Sequence, residues 1–212
     1  MKEARYKRPL DLTILGLAHL LLAPVWIAAW VIIPLAIWLQ DRGPIFYAQR
    51  RIGQGGKILH LRKFRTMMAD AEAQGPVWTV AGDRRVTRVG RLLRRTALDE
   101  LPSLLNIWKG DLSLVGPRAL AEREHAYLLE QIPGFDRRLE VKPGLAGLAQ
   151  LYDREDDAVA KLRYDLEYIR RMSLWLDLKI LLLSVLYTLS ARWDRRSGKS
   201  SRQGDDERVT TE

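Results

Sequence analysis

The sequence contains no cysteine, which excludes disulfides, thiolate metal sites and a thiol nucleophile. Histidine is nearly as scarce: His19, His60 and His125 are widely scattered, and no pair has the helical spacing of a ligand motif, so a histidine zinc centre is not expected. Formal charge is missing from one long stretch, Leu12 through Leu39, whose clearly polar side chains are Thr13 and His19. Acidic residues are outnumbered overall, 26 against 35 Lys and Arg, leaving a net charge of +9 and a pI near 10.0. Such a chain prefers a polyanion, whether nucleic acid, an anionic lipid surface or a phosphorylated substrate. Its 212 residues suffice for one compact domain, and no break in composition divides it into two.

The uncharged stretch reads as a membrane segment. As a straight helix it would reach roughly 42 Å, more than the roughly 30 Å hydrocarbon core requires. A cleaved leader is the competing reading, but the run exceeds the usual leader core and lacks a small-x-small cleavage site. Pro24, near its middle, removes a backbone donor and predicts a kink. Basic residues flank both ends, Lys2, Arg5, Lys7 and Arg8 before it and Arg42, Arg50 and Arg51 after it. A single crossing would gather such charges on one side. A helix that enters the bilayer, bends at Ala23-Pro24 and returns satisfies both observations; a Pro-kinked spanning helix is the alternative. His19, Trp26, Trp30 and Trp38 are read as interfacial or packing residues.

Beyond Pro44 the pattern changes to short elements. Ile45–Gln49 and Ile58–Phe64 read as strands flanking a turn at Gly53-Gln54-Gly55-Gly56, which lacks the Lys-Ser pair of a phosphate loop. Six arginines fall between Arg84 and Arg95, and the spacing of Arg84, Arg88, Arg91 and Arg95 predicts one helical face, suited to phosphate or to anionic headgroups. The missing exposed aromatics beside them, together with the membrane segment, argue against nucleic acid. In Leu98-Asp99-Glu100-Leu101-Pro102 the pattern predicts a helix starting just before Pro102. Asp99 is then either a simple cap or an ionised carboxylate fit for nucleophilic or metal chemistry. Leu112–Val115 reads as a buried strand whose following turn projects Arg118, and Lys142-Pro143-Gly144 as a rigid basic turn. Leu162, Leu166 and Ile169 mark an amphipathic helix. The apolar run 174–191 is interrupted by Asp177 and Lys179, so an interfacial or protein-packed helix is expected there rather than a second span. The last residues, from Arg192, read as a disordered tail.

In order along the chain, Lys7-Arg8 with Asp11, Pro24, Gly43-Pro44-Ile45-Phe46, Gln49-Arg50-Arg51-Ile52-Gly53, Lys63-Phe64-Arg65-Thr66-Met67, Leu98-Asp99-Glu100-Leu101-Pro102, Gly110 to Arg118, Lys142-Pro143-Gly144, Gln150 and Tyr164-Asp165 resemble the bacterial sugar transferases, small monotopic phosphoglycosyl transferases. The resemblance covers almost all of residues 5 to 190. It implies an α+β, mainly helical membrane-associated fold with a re-entrant helix over 1–40 bent at Pro24. A catalytic domain with a β-hairpin and interfacial helices over 41–191 would follow, and then a tail over 192–212. It further implies that Asp99 attacks a UDP-sugar, that Glu100 serves as base or metal partner, and that Asp99 and Glu100 hold Mg2+. Lys63, Arg88 and Arg118 are the expected phosphate or nucleotide contacts, Arg118 foremost. Undecaprenyl phosphate would be the acceptor, membrane lipid the surroundings, the cytoplasmic face of the bacterial inner membrane the location, and a homodimer the expected assembly. Ala23 and Ala97 stand where serine is common in relatives; neither change removes catalytic chemistry.

Overall fold

The computed structural model describes residues 4–71, 83–153 and 157–189; the tail expected over 192–212 lies outside them. The apolar segment forms two helices, α1 (Lys7–Leu21) and α2 (Ala23–Asp41), joined at Leu22 (φ −106°, ψ 20°). Pro24 lies in the first turn of α2, where a missing N–H is tolerated, but it prevents unbroken helical bonding across the joint. Trp26 marks the change of direction. Its indole Nε1 donates to the Ala18 carbonyl at 2.9 Å and its ring stacks on His19 with centroids 4.7 Å apart. A straight helix would separate these backbone positions by about 12 Å along its axis.

The far ends of both helices dock on one body. Lys7, Asp11 and Leu15 are buried on α1. On α2, Ile33 and Ile37 pack with Phe64 and Leu93, and Asp41 pairs with Arg65 at the end of the helix. Between these anchors Leu20, Leu21, Val25, Ile27, Val31 and Ile32 are each more than half exposed. Among the described residues α2 is the one helix long and apolar enough, by length and composition, to cross a membrane.

The body begins with an antiparallel hairpin, β1 (Phe46–Ile52) and β2 (Ile58–Phe64), with Phe46 opposite Phe64 and Ile52 opposite Ile58, closed through the expected glycine turn. There follow α3 (Arg88–Arg95), a 3-10 segment Leu98–Ser103, α4 (Leu104–Lys109), β3 (Ser113–Val115), α5 (Glu122–Gln131), a second 3-10 segment Phe135–Glu140, β4 (Gly144–Ala146), α6 (Leu148–Tyr152), α7 (Ala158–Arg171) and α8 (Leu174–Leu189). The core is assembled from distant elements: Ile107 of α4, Val115 of β3, Tyr168 of α7 and Ile180 of α8. The α7 pattern is as expected, with Leu162 and Ile169 buried.

Lys142-Pro143-Gly144, read from sequence as a turn, instead leads into β4, which pairs in parallel with β3. The reason is steric: a Cβ at Gly144 would lie 2.1 Å from the Gly116 nitrogen, so only glycine lets these backbones approach. Asp177, the charge that argued against a second span, is fully buried and paired with Lys7 at 2.9 Å. Tyr168 donates to its Oδ1 at 2.8 Å and Tyr6 to its Oδ2 at 3.1 Å, while Lys7 also donates to the Val115 carbonyl at 2.7 Å. The first residues of α1, the start of α8 and β3 are thus tied at one point.

Candidate active site

Residues directly opposite in an antiparallel pair share a face, so the register of the hairpin places Tyr47, Gln49 and Arg51 beside Lys63, Leu61 and Leu59. That alternation turns Arg51 and Lys63 toward a cleft completed by Glu100, Ser103, Leu112, Arg118, Ala119, Gly144 and Leu145. Three cations and one carboxylate line it, an excess of two that fits a doubly charged anion.

The carboxylates arrive on the 3-10 segment. Ala97 is in the left-handed region (φ 53°, ψ 17°), which turns the chain out of α3 and into the segment that begins at Leu98. The expected helix start at Asp99 is therefore corrected: α4 begins at Leu104, and Asp99 caps nothing. Ser103, which precedes α4, instead donates its hydroxyl to the Arg62 carbonyl at 2.9 Å, stitching the segment to β2. Asp99 is thus not spent as a helix cap.

Glu100 accepts from Lys63 Nζ at 2.5 Å and from Arg118 Nη2 at 3.0 Å, both at Oε1. Burial works against its charge, yet the two cations outweigh burial and hold its carboxyl far below the usual carboxylate range. Lys63 is pulled down by burial against the attraction of Glu100, and Arg118 is pushed up by Glu100. Asp99 behaves in the opposite way to its neighbour. Burial, with help from the charge of Glu100 and against Lys63, pushes its carboxyl up to about 6. The two acids are thus set apart: Glu100 is held firmly ionised, and Asp99, raised to about 6 chiefly by burial, is the weaker acid and still a carboxylate at neutral pH. Asp99 precedes Glu100 in the chain and is not among the residues lining the cleft.

The arginine face is corrected as well. Thr87 caps α3 through a 2.9 Å bond from the Gly90 N–H, so the helix starts at Arg88 and leaves Arg84 outside it. Arg88 is exposed at the first position and does not line the cleft. Arg94, off the predicted face, donates to Thr66 at 2.9 Å, and its charge acts on Asp99. Sequence reasoning also missed Arg51 as a site residue. Burial, then the nearby charge of Arg118, lowers its pKa to about 10. The signal was available: Arg51 and Lys63 fall on one face once the two strands are paired around the glycine turn.

For magnesium, among the described residues no group of three His, Asp or Glu side chains gathers as a preformed cage. Mg2+ commonly takes one or two protein carboxylates and completes its shell with phosphate and water oxygens; Asp99 and Glu100 are the adjacent carboxylates that would hold it here.

The acidic pair thus lies among the charges of Lys63, Arg94 and Arg118, on a body that holds both far ends of an apolar helical hairpin. A model of the bacterial sugar transferases matches residues 2–191, and the chain belongs to that family. Over 185 residues it is 41% identical to the UDP-glucose:undecaprenyl-phosphate glucose-1-phosphate transferase of Caulobacter vibrioides, covering 84% of this chain and 68% of that protein. It is 36% identical over 183 residues to the UDP-N-acetylgalactosamine-undecaprenyl-phosphate N-acetylgalactosaminephosphotransferase of Aeromonas hydrophila, covering 84% of this chain and 42% of that protein. It is 37% identical over 194 residues to the exopolysaccharide production protein PSS of Rhizobium leguminosarum bv. phaseoli, covering 87% of this chain and 95% of that protein. The chain thus spans well under half of the Aeromonas relative and nearly all of the Rhizobium one.

Proposed function

We propose that this chain transfers a sugar-1-phosphate from a UDP-sugar to undecaprenyl phosphate through an aspartyl phospho-sugar intermediate on Asp99. The observation that carries the reading is the division of labour in the acidic pair. Glu100 is neutralised by Lys63 and Arg118, while Asp99 keeps no salt-bridge partner among the ion pairs that hold its neighbour. A carboxylate oxygen of Asp99 attacks the phosphorus bearing the sugar, the bond from that phosphorus to the bridging oxygen breaks, and UMP leaves with that oxygen. The phosphate oxygen of undecaprenyl phosphate then attacks the same phosphorus and expels the carboxylate. Splitting the transfer avoids a direct encounter between two anions.

Arg51, Lys63 and Arg118 orient the diphosphate and offset the charge that spreads over its oxygens as the bond breaks. Glu100, whose carboxyl the two cations hold low, positions Lys63 and Arg118 and joins Asp99 as a metal ligand. Mg2+ bound there would neutralise diphosphate charge and favour UMP as leaving group.

A pH consequence follows from the raised pKa of Asp99. The attacking form is the carboxylate, so protonation stops the reaction, and kcat/KM is expected to fall tenfold per pH unit below about 6. Glu100, held lower, stays ionised through that limb, which should therefore titrate as a single proton. A two-proton limb would show that the pair is not divided as described. The test of the overall reaction is UMP release by detergent-purified protein with magnesium, undecaprenyl phosphate and a panel of UDP-sugars. Carrier-dependent release with one donor identifies the sugar. Thermal-shift measurements with uridine nucleotides distinguish a catalytically silent binding protein from an untested sugar.

The same reading places α1 and α2 in the cytoplasmic leaflet as a re-entrant hairpin. Support comes from the docking of both far ends on one body with an exposed apolar apex between them, and from the basic residues flanking both ends. Because the chain has no cysteine, a thiol introduced at residue 2 or at residue 42 is unique. Both are expected to react with an impermeant maleimide only from the cytoplasmic side of oriented vesicles. Labelling of one from each side would require a spanning helix.

A further inference from the structure

The turn that carries Arg118 is gripped by buried cations that do not line the cleft. Ahead of it, Lys7 holds the Val115 carbonyl. Behind it, Arg138 Nη2 donates to the Arg118 carbonyl at 2.9 Å while Nε donates to Asp165 Oδ2 at 2.8 Å, and the guanidinium closes on that carboxylate to 2.6 Å. The Arg138 and Asp165 side chains are 2% and 1% exposed, so neither meets a substrate. Phe135 lies under the guanidinium at 5.1 Å and is itself fully buried, which fixes the plane of the fork.

A buried ion pair is a weak source of net stability, because desolvating two charges offsets most of their attraction. An apolar pair in the same space would hold the 3-10 segment Phe135–Glu140 against α7 as well. It could not donate a hydrogen bond to the Arg118 carbonyl in a fixed direction. That bond matters because the side chain hung on this backbone reaches Glu100, so a shift of the Arg118 backbone moves its guanidinium in the cleft.

We propose that Arg138, aimed by Asp165, is a positioning residue that fixes Arg118 for the donor diphosphate, a claim that rests on reading the cleft as the UDP-sugar site. Arg138 acts through Arg118 and touches nothing that reacts.

The test is a double-mutant cycle read by calorimetric binding of UDP to the detergent-purified full chain. Arg118→Ala is expected to weaken UDP binding about tenfold, the loss of one charge-assisted contact. Arg138→Lys keeps a cation beside Asp165 but lacks the planar fork needed to serve Asp165 and the Arg118 carbonyl together. It is expected to weaken UDP by a similar factor with its melting temperature little changed, and to add no further loss to Arg118→Ala. That non-additivity marks action through Arg118; an independent structural defect would multiply the two losses. The paired replacement Arg138→Met with Asp165→Leu removes both buried charges and should follow the same cycle. UDP binding equal to wild type in Arg138→Lys, or the same loss with and without Arg118, would overturn the proposal. Failure of both the lysine variant and the paired replacement to fold would also overturn it, making the pair a folding element. A wild-type protein that binds no UDP would remove the functional reading itself, an outcome distinct from any seen only in the variants.

Discussion

Asp99→Ala and Asp99→Asn are each expected to lower turnover by at least about a thousandfold, the scale on which loss of a covalent nucleophile is felt. Expression, detergent behaviour and membrane association should stay intact, because Asp99 caps no helix and the ion pairs among the described residues that tie this segment down are made by Glu100. Asparagine is the sharper variant: it preserves shape, but its amide cannot form the acyl phosphate that a carboxylate does. Glu100→Gln is expected to fail differently. It leaves Lys63 and Arg118 facing a neutral amide, so donor binding and the alignment of both cations suffer together. Carrier-dependent UMP release measured on all three variants separates these outcomes. Wild-type turnover by Asp99→Asn would end the covalent mechanism.

Lys7→Met is expected to produce the largest change in stability. Lys7 and Asp177 side chains are 3% and 1% exposed, and removing the ammonium strands a carboxylate in the core beside two tyrosine hydroxyls. Breaking such a pair costs about 3–5 kcal/mol. For a chain of this length that converts to roughly 6–20 °C in melting temperature. The paired change Lys7→Met with Asp177→Leu removes both charges and should recover most of the loss. Thermal unfolding in detergent checks both, and a single variant that melts within about 2 °C of wild type would show that the clasp contributes little. Because Lys7 opens α1 and Asp177 opens α8, the clasp joins the root of the membrane hairpin to the last described helix through β3.

How far these features could be read from the chain depended on the range of the interactions involved. The hairpin, its glycine turn, the bend near Pro24 and the α7 stripe are written in local periodicity and in the stereochemistry of single residues, and the structure shows them, with β1 running on to Ile52 rather than ending at Gln49 and the bend falling at Leu22. The parallel pairing of β3 with β4 was not legible, since three-residue strands about thirty positions apart carry no periodic signal and depend on a steric fit between glycine backbones. Asp177 announced itself as a misplaced charge, but its partner lies 170 residues away in the chain, beyond any pattern. At the site, Asp99, Glu100, Lys63 and Arg118 were all singled out, and the last three meet within hydrogen-bond distance. The four-arginine face was misread because helical spacing was extended back through Arg84, past the Thr87 cap that starts the helix at Arg88. The distribution of charge within the acidic pair was also beyond the sequence: burial decides it, and burial is a property of the fold.

The most direct test of the central claim is mass spectrometry of the protein after incubation with its UDP-sugar and magnesium in the absence of carrier. The account predicts one equivalent of UMP released per active protein and a phospho-sugar mass on the peptide containing Asp99, discharged on adding undecaprenyl phosphate. An unmodified Asp99 peptide in protein that turns over once carrier is supplied would contradict it and point to direct transfer between the two substrates.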